Sequence, residues 1–214
     1  MSGDPALPAG DFSAWMVEIQ AAIRDEGDSD VPCDGCTACC RSSQFVHIGP
    51  DEIDALARIP AALLFPAPGR PHGHVVLGYD ERGHCPMLVD DACSIYEDRP
   101  KACRTYDCRV FAAAGLDAGA DKVEITRRAR RWEFSISDEG ARIERDAVRA
   151  AASFLATHID LLRDAGIPTN DTQVAVLAIE LHDLFLDQDE QTGAMKVVEP
   201  DAGVVRAALS RPRR

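Results

Sequence analysis

Eight cysteines decide what this chain can become, and four of them fall within eight residues: Cys33-Asp-Gly-Cys36-Thr-Ala-Cys39-Cys40. The other four follow as Cys85, Cys93, Cys103 and Cys108. A cysteine three residues after another lets both thiolates converge on one ion, because the two residues between them form a tight turn. Gly35 eases that turn by accepting a positive φ. Repeating the spacing adds a third thiolate to the same face, and a fourth must then come from a distant part of the chain. Three arrangements remain open. Two four-thiolate zinc sites would use every cysteine. One iron–sulfur cluster would use four and leave four as a second site or as redox thiols. A mixed site would recruit His47 or His84.

Bacterial ferredoxins use the Cys33, Cys36, Cys39 spacing for three corners of a cubane, the fourth cysteine preceding a proline, as Cys85 precedes Pro86 here. Adjacent Cys39 and Cys40 do not easily serve one ion with relaxed geometry. One of the two therefore faces a second site or is a free reactive thiol.

Charge narrows the function classes. The 214 residues carry a formal charge of −13 with a pI near 4.8, which argues against nucleic acid and anionic membrane surfaces as partners. Asp4 stands where a secretory signal would carry Lys or Arg, and no apolar run follows it. The expected compartment is the cytoplasm, with the simple architecture pointing to a bacterium, and in a reducing compartment clustered cysteines are ligands or redox groups rather than disulfides. Local sign runs against global sign near the thiols. Arg41 follows Cys40, and Arg99, Lys101, Arg104 and Arg109 surround Cys103 and Cys108, with Asp107 the one acid among them. Cations beside bound thiolates lower their pKa and offset buried negative charge, so Arg41, Arg99, Lys101 and Arg104 are expected to support the centre.

Along the chain, Phe12 to Arg24 has helical periodicity through Trp15, Ile19 and Ile23, and residues 25–30 end it. Gln44 to Ile48 reads as a strand. Gly49-Pro-Asp-Glu52 opens a helix that runs to about Arg58. Pro60 to Gly73, with four prolines and two glycines, reads as a surface loop. Val75 to Tyr79 is a strand, and residues 83–89 and 92–96 form a hairpin about Asp90-Asp91. Asp98-Arg-Pro100 starts a helix that carries Cys103 to about Cys108 or Phe111. Residues 122–137 lean to two strands. Ile143 to Leu162 shows one apolar helix face, stopped by Gly166 and Pro168. Asn170-Asp-Thr-Gln173 caps a second such helix, and a frayed helix follows Pro200.

Of the other candidates, His72 and His74 lie in the Pro/Gly loop and are expected in solvent. His158 and His182 fall on apolar helix faces and are expected as hydrogen-bonded interior residues. The run Arg127-Arg128-Ala-Arg130-Arg131 is expected as a solvated face offsetting nearby acids. There is no Gly-rich phosphate loop, nucleotide fingerprint or Ser/His/Asp order.

Taken together, Cys33-x2-Cys36-x2-Cys39-Cys40, Cys85-Pro-Met-Leu, Cys93-Ser-Ile-Tyr96, Arg99-Pro100-x2-Cys103-Arg104 and Cys108 resemble the YkgJ-type cysteine-cluster family, a zinc- or iron-chelating domain sometimes described as containing iron–sulfur. The resemblance covers about residues 33–108. It implies one metal centre carried by all eight cysteines with the Arg-Pro helix as scaffold. Some relatives are tied to flagellin lysine methylation, which implies that such a centre can support chemistry; an enzyme acting on a protein side chain rests on that resemblance alone.

The expected fold is mainly α with a few short strands, of the α+β class. An irregular metal-centred cysteine-cluster domain (28–115) precedes a helical hairpin extension (116–214), and residues 1–27 form an N-terminal helix packing on either. The expected cofactor is an iron–sulfur cluster or iron centre in a redox or metal-dependent module. The alternative is a structural zinc protein whose helices contact an unknown protein partner.

Overall fold

A computed structural model describes residues 4–24, 26, 31, 33 and 35–211. Among them helix accounts for 44% and strand for 14%, with the strands gathered in small sheets, so the α+β expectation with helix dominant holds. Two compact units emerge. One comprises residues 28–107 and 121–125; the other comprises 1–27, 108–120 and 126–214.

In chain order, β1 (Leu7–Asp11) leads directly into α1 (Phe12–Ile23), where the Asp11 carboxylate accepts the Ala14 amide at 3.1 Å as an N-cap. Phe12, Trp15, Met16 and Ile19 form its buried stripe. The acidic stretch expected to end this helix falls, apart from Glu26, outside the described residues.

The cysteine-bearing unit is built on a three-stranded antiparallel sheet of β2 (Val46–Ile48), β3 (Leu64–Pro66) and β4 (Val75–Leu77), with β4 in the centre. Val46, Leu77 and Leu64 stand in register across it. They belong to the apolar face that packs with Ile48, Ala55, Ile59 and Ile95, and Cys85 and Cys93 lie against this core. Removing most of the Leu77 side chain opens a cavity that the short strands cannot close. Leu77→Ala is expected to destabilise the protein by about 2–5 kcal/mol, read as a lowered urea midpoint.

β3 corrects the expectation that Pro60 to Gly73 is only a loop. A 3₁₀ turn at Ala61–Leu63 feeds an edge strand, where Pro66 withholds no amide that the ladder needs. α2 (Ile53–Arg58) begins three residues later than the Gly-Pro signal implies, with Glu52 at its N-cap position. β5 (Leu88–Val89) and β6 (Ala92–Cys93) form the expected hairpin. Asp90 and Asp91 both take positive φ (47° and 61°), which a two-residue turn between twisted strands requires.

α3 (Lys101–Arg104) is a single turn. Asp98 does not cap it; its carboxylate receives Arg58 Nε at 2.9 Å, and Pro100 holds the cap position. The helix also stops short of Cys108. A separate α4 (Arg109–Ala114) starts beyond Cys108 and closes on left-handed Gly115.

α5 (Val123–Ala129) replaces the first of the two strands expected in 122–137. Ile125 and Ala129 are both buried, and a spacing of four puts them on one helix face where strand alternation would not. β7 (Trp132–Ser135) is the second of those strands and pairs in parallel with β1.

α6 (Glu139–Thr157) and α8 (Asp171–Leu181) form the main helical contact of their unit. The long helix expected through Leu162 breaks at His158, whose ring Nδ1 donates to the Phe154 carbonyl at 2.9 Å, and α7 (Ile159–Asp164) resumes it. Asn170 caps α8 as expected, accepting the Gln173 amide at 2.9 Å. Asn170→Ala is expected to cost about 1 kcal/mol in thermal or urea unfolding. β8 (Leu186–Gln188) and β9 (Met195–Val197) form a hairpin, and α9 (Ala202–Leu209) follows Asp201. Val205 and Leu209 are buried, so α9 is anchored rather than frayed. No described helix is long and apolar enough to cross a membrane.

Candidate metal centre

The two cysteine stretches are tied together by main-chain hydrogen bonds. The Cys85 amide donates to the Cys40 carbonyl at 2.7 Å, and two residues earlier Gly83 accepts the Ser43 amide at 2.8 Å. The approach is tight at Gly83, where a side chain would run into Ser43 Oγ. The loop before Cys85 is closed on itself. Asp80 N–H donates to the His84 carbonyl at 2.7 Å, and the Asp80 carboxylate accepts the His84 amide at 2.8 Å and the Arg82 guanidinium. Those bonds, the His84 amide foremost, hold the Asp80 carboxyl below its usual range. The first stretch turns as its spacing predicts: Gly35 has φ +74°, and the Cys36 amide donates to the Cys33 carbonyl at 2.8 Å.

Six thiols share one electrostatic neighbourhood. Burial first, then the charges of Cys85, Cys93, Cys36 and Cys33, push the Cys40 thiol up to about 11 from an ordinary 9.0. Cys103 stands at an exposed position, yet the chain around its sulfur removes enough water for desolvation to lead there too. With the charges of Cys40, Cys85 and Cys93 added and Arg99 opposing, it rises to about 12. Cys85 is also raised by desolvation, but the amides of Met87 and Leu88 donate to its sulfur and favour the thiolate. Amide N–H groups aimed at sulfur are what a thiolate ligand needs once it carries negative charge. The turn that aims them is Cys85-Pro-Met-Leu88, closed by the Leu88 amide donating to the Cys85 carbonyl at 3.0 Å.

Such a donor set fits a soft or borderline cation. Thiols whose ionisation is opposed first by burial and then by neighbouring thiolate charge are relieved when a metal replaces the protons. Among the described residues, no three His, Cys, Asp or Glu side chains stand ready to hold an ion. The thiols are near one another but not drawn into ligation.

The remaining expected site residues fall as follows. Cys39 begins the 3₁₀ turn Cys39–Arg41 beside Cys40. Cys108 belongs to the helical unit, where it is buried and accepts the Trp132 indole N–H at 3.1 Å. Arg41 donates from Nε to Thr37 Oγ1 at 3.1 Å and pairs with Asp91. Arg99 lies 4.0 Å over the Tyr96 ring, donates to the Tyr96 carbonyl at 2.7 Å, and lowers the Cys103 pKa. Lys101 heads α3 and Arg104 ends it, exposed. Arg109 directly follows Cys108, in the same unit. It is buried in the helical unit, donating to the Ala9 carbonyl at 3.2 Å.

In the basic run, Arg130 pairs with Asp117 and Arg131 with Asp4, as a charge-offsetting face should. His158 and His182 are hydrogen-bonded through Nδ1 to the Phe154 and Ile179 carbonyls, as expected. His84 lines a polar cleft with Arg41, Arg82, Leu88, Asp90 and Asp91. His74 departs from expectation: only His72 is exposed, whereas His74 is half-buried with Nδ1 3.0 Å from His47 Nε2.

Two supporting residues carry no sequence signal of their own. Glu52 accepts the Gly49 amide at 2.8 Å through one oxygen and the Lys101 amide through the other, so it fixes the start of α3 and with it Cys103. Lys122 Nζ donates to the Ser42 and Ser43 carbonyls at 2.7 and 3.3 Å, clamping the end of the first cysteine stretch. Both act across long sequence separations, which no local pattern reveals. Lys122→Ala leaves the carbonyls of buried Ser42 and half-buried Ser43 without their charged donor and is expected to destabilise the protein by about 1–3 kcal/mol in urea titration.

Residues 32–130 match the family model CxxCxxCC, described as "Putative zinc- or iron-chelating domain". Over those residues the chain is similar to this cysteine-cluster family, the one its spacing resembles, and the match runs past Cys108 to include α5. No curated protein and no solved structure matches the chain.

Proposed function

We propose that Cys33, Cys36, Cys40, Cys85, Cys93 and Cys103 hold a polynuclear metal centre, an iron–sulfur cluster or iron site, and that the protein is a redox or metal-dependent module. Cys39, beside Cys40 in the 3₁₀ turn, is a further candidate ligand of this centre. The observation that carries this reading is the main-chain bond that joins the two stretches at Cys85 and Cys40, with Cys33, Cys36, Cys85 and Cys93 close enough for their charges to act on buried Cys40, and Cys40, Cys85 and Cys93 close enough to act on Cys103. One tetrahedral ion takes four thiolates, so six in one neighbourhood favour more than one metal atom. Such a centre, when bound, supplies electron transfer or Lewis acidity. The residues of this chain would set its charge: Arg99 beside Cys103, and the Met87 and Leu88 amides on Cys85.

A second reading, two zinc ions that stabilise the cysteine unit for contact with a protein partner, draws on the same thiols and on the Cys85 turn, whose N–H···S bonds suit zinc equally. Colour and composition separate the two. Protein purified without oxygen is expected to be brown, with broad visible absorption and with iron and acid-labile sulfide in comparable amounts. A colourless protein with stoichiometric zinc supports the second reading, and one with neither metal overturns both.

A further inference from the structure

His47 and His74 meet on the face of the three-stranded sheet that looks away from its apolar core. His47 shares a row with Val76 and Phe65, whereas the flanking Val46–Leu77–Leu64 row packs inward. Alternation along the strands puts His74, two residues before Val76, on that same outer face. Both histidines are half-buried, their ring planes differ by 18°, and His47 Nε2 is 3.0 Å from His74 Nδ1.

Two imidazole nitrogens that close are either a hydrogen-bonded pair or two ligands of one ion, and their separation suits both. With metal–nitrogen bonds of about 2.0–2.1 Å, a tetrahedral ion needs its two nitrogens about 3.3 Å apart. Two adjacent positions of a square-planar or octahedral ion need roughly 2.9 Å. The observed 3.0 Å lies between them. In the metal-free pair one ring donates its N–H to the other. On metal binding that proton moves to the far nitrogen of its own ring, both lone pairs turn to the ion, and no net proton is lost. The backbone that carries His47 is fixed by the β2–β4 ladder, and the His74 carbonyl accepts the Ala67 amide at 3.0 Å.

We propose that His47 and His74 form a second, nitrogen-donor site for a borderline divalent transition ion of the nickel, copper or zinc class, with water completing the shell. It is independent of the cysteine centre, whose soft sulfur donors select different chemistry.

The probe is nickel(II) held by nitrilotriacetate, which offers two adjacent open positions. Untagged protein, with its cysteine centre as purified, is expected to be retained by this chelate and released by imidazole. His47→Gln and His74→Gln should each weaken retention at least tenfold, and H72Q should leave it unchanged. Circular dichroism and the metal content of the cysteine centre serve as fold controls, and should H47Q fail to fold, the loop variant H74Q carries the test. Retention unaffected by H47Q or H74Q, or lost equally in H72Q, overturns the proposal.

Discussion

Cys85→Ser is expected to abolish stable metal binding while leaving the fold of the metal-free protein in place. The substitution removes the sulfur that Met87 and Leu88 address, but the main-chain bond from residue 85 to the Cys40 carbonyl does not depend on the side chain. Serine oxygen is a poor ligand for a soft or borderline ion and stays protonated near neutrality. Loss of a group that merely supports a ligand weakens metal affinity by about 10–100-fold, so losing the ligand itself should exceed ~100-fold. At saturating metal the same change removes at least about 2.7 kcal/mol of ligand-linked stability. Metal content after desalting and the melting temperature with and without added metal measure both effects. A variant that keeps its full metal content would place the centre elsewhere.

The second large effect is on pH. Cys40 and Cys103, raised to about 11 and about 12, are protonated at neutral pH in the metal-free protein. Metal uptake by these two thiols therefore releases at least two protons. Apparent affinity should rise by at least about 100-fold per pH unit between roughly pH 6 and 8. Proton release in weakly buffered solution and competition with a chelator across that range measure it.

The metal-free protein behaves in the opposite sense at alkaline pH. Both thiols have folded pKa values above the ordinary 9.0, so the folded state holds protons that the unfolded chain gives up. Their stabilising contribution is complete below pH 9 and is lost as pH rises through 11 to 12. Urea midpoints that increase from pH 9 to 11 would contradict the thiol arrangement.

How much of this could be read from the sequence depends on the range of each interaction. The cysteine spacing, Gly35 with its positive φ, the Asp90-Asp91 hairpin and the Asn170 cap are local, and each follows from neighbours within four residues. β3 was masked by the prolines around it, because an edge strand tolerates what a central strand would not. α5 was ambiguous because Val123 and Ile125 alternate, and only burial of Ile125 with Ala129 settles the period. The His47–His74 contact depends on the β2–β4 register, and the grips of Glu52 on α3 and Lys122 on Ser42 span about 50 and 80 residues. Membership of residues 121–125 in the cysteine-bearing unit is of the same kind, since it is decided by packing and not by composition.

The joining of the two cysteine stretches around bound metal is tested most directly by X-ray absorption at the metal edge of protein purified without oxygen. Sulfur is predicted to dominate the first shell, at about four atoms per metal near 2.3 Å, with a metal–metal distance visible beyond it. A first shell of nitrogen and oxygen, or a sulfur count unchanged by Cys85→Ser, would contradict the account.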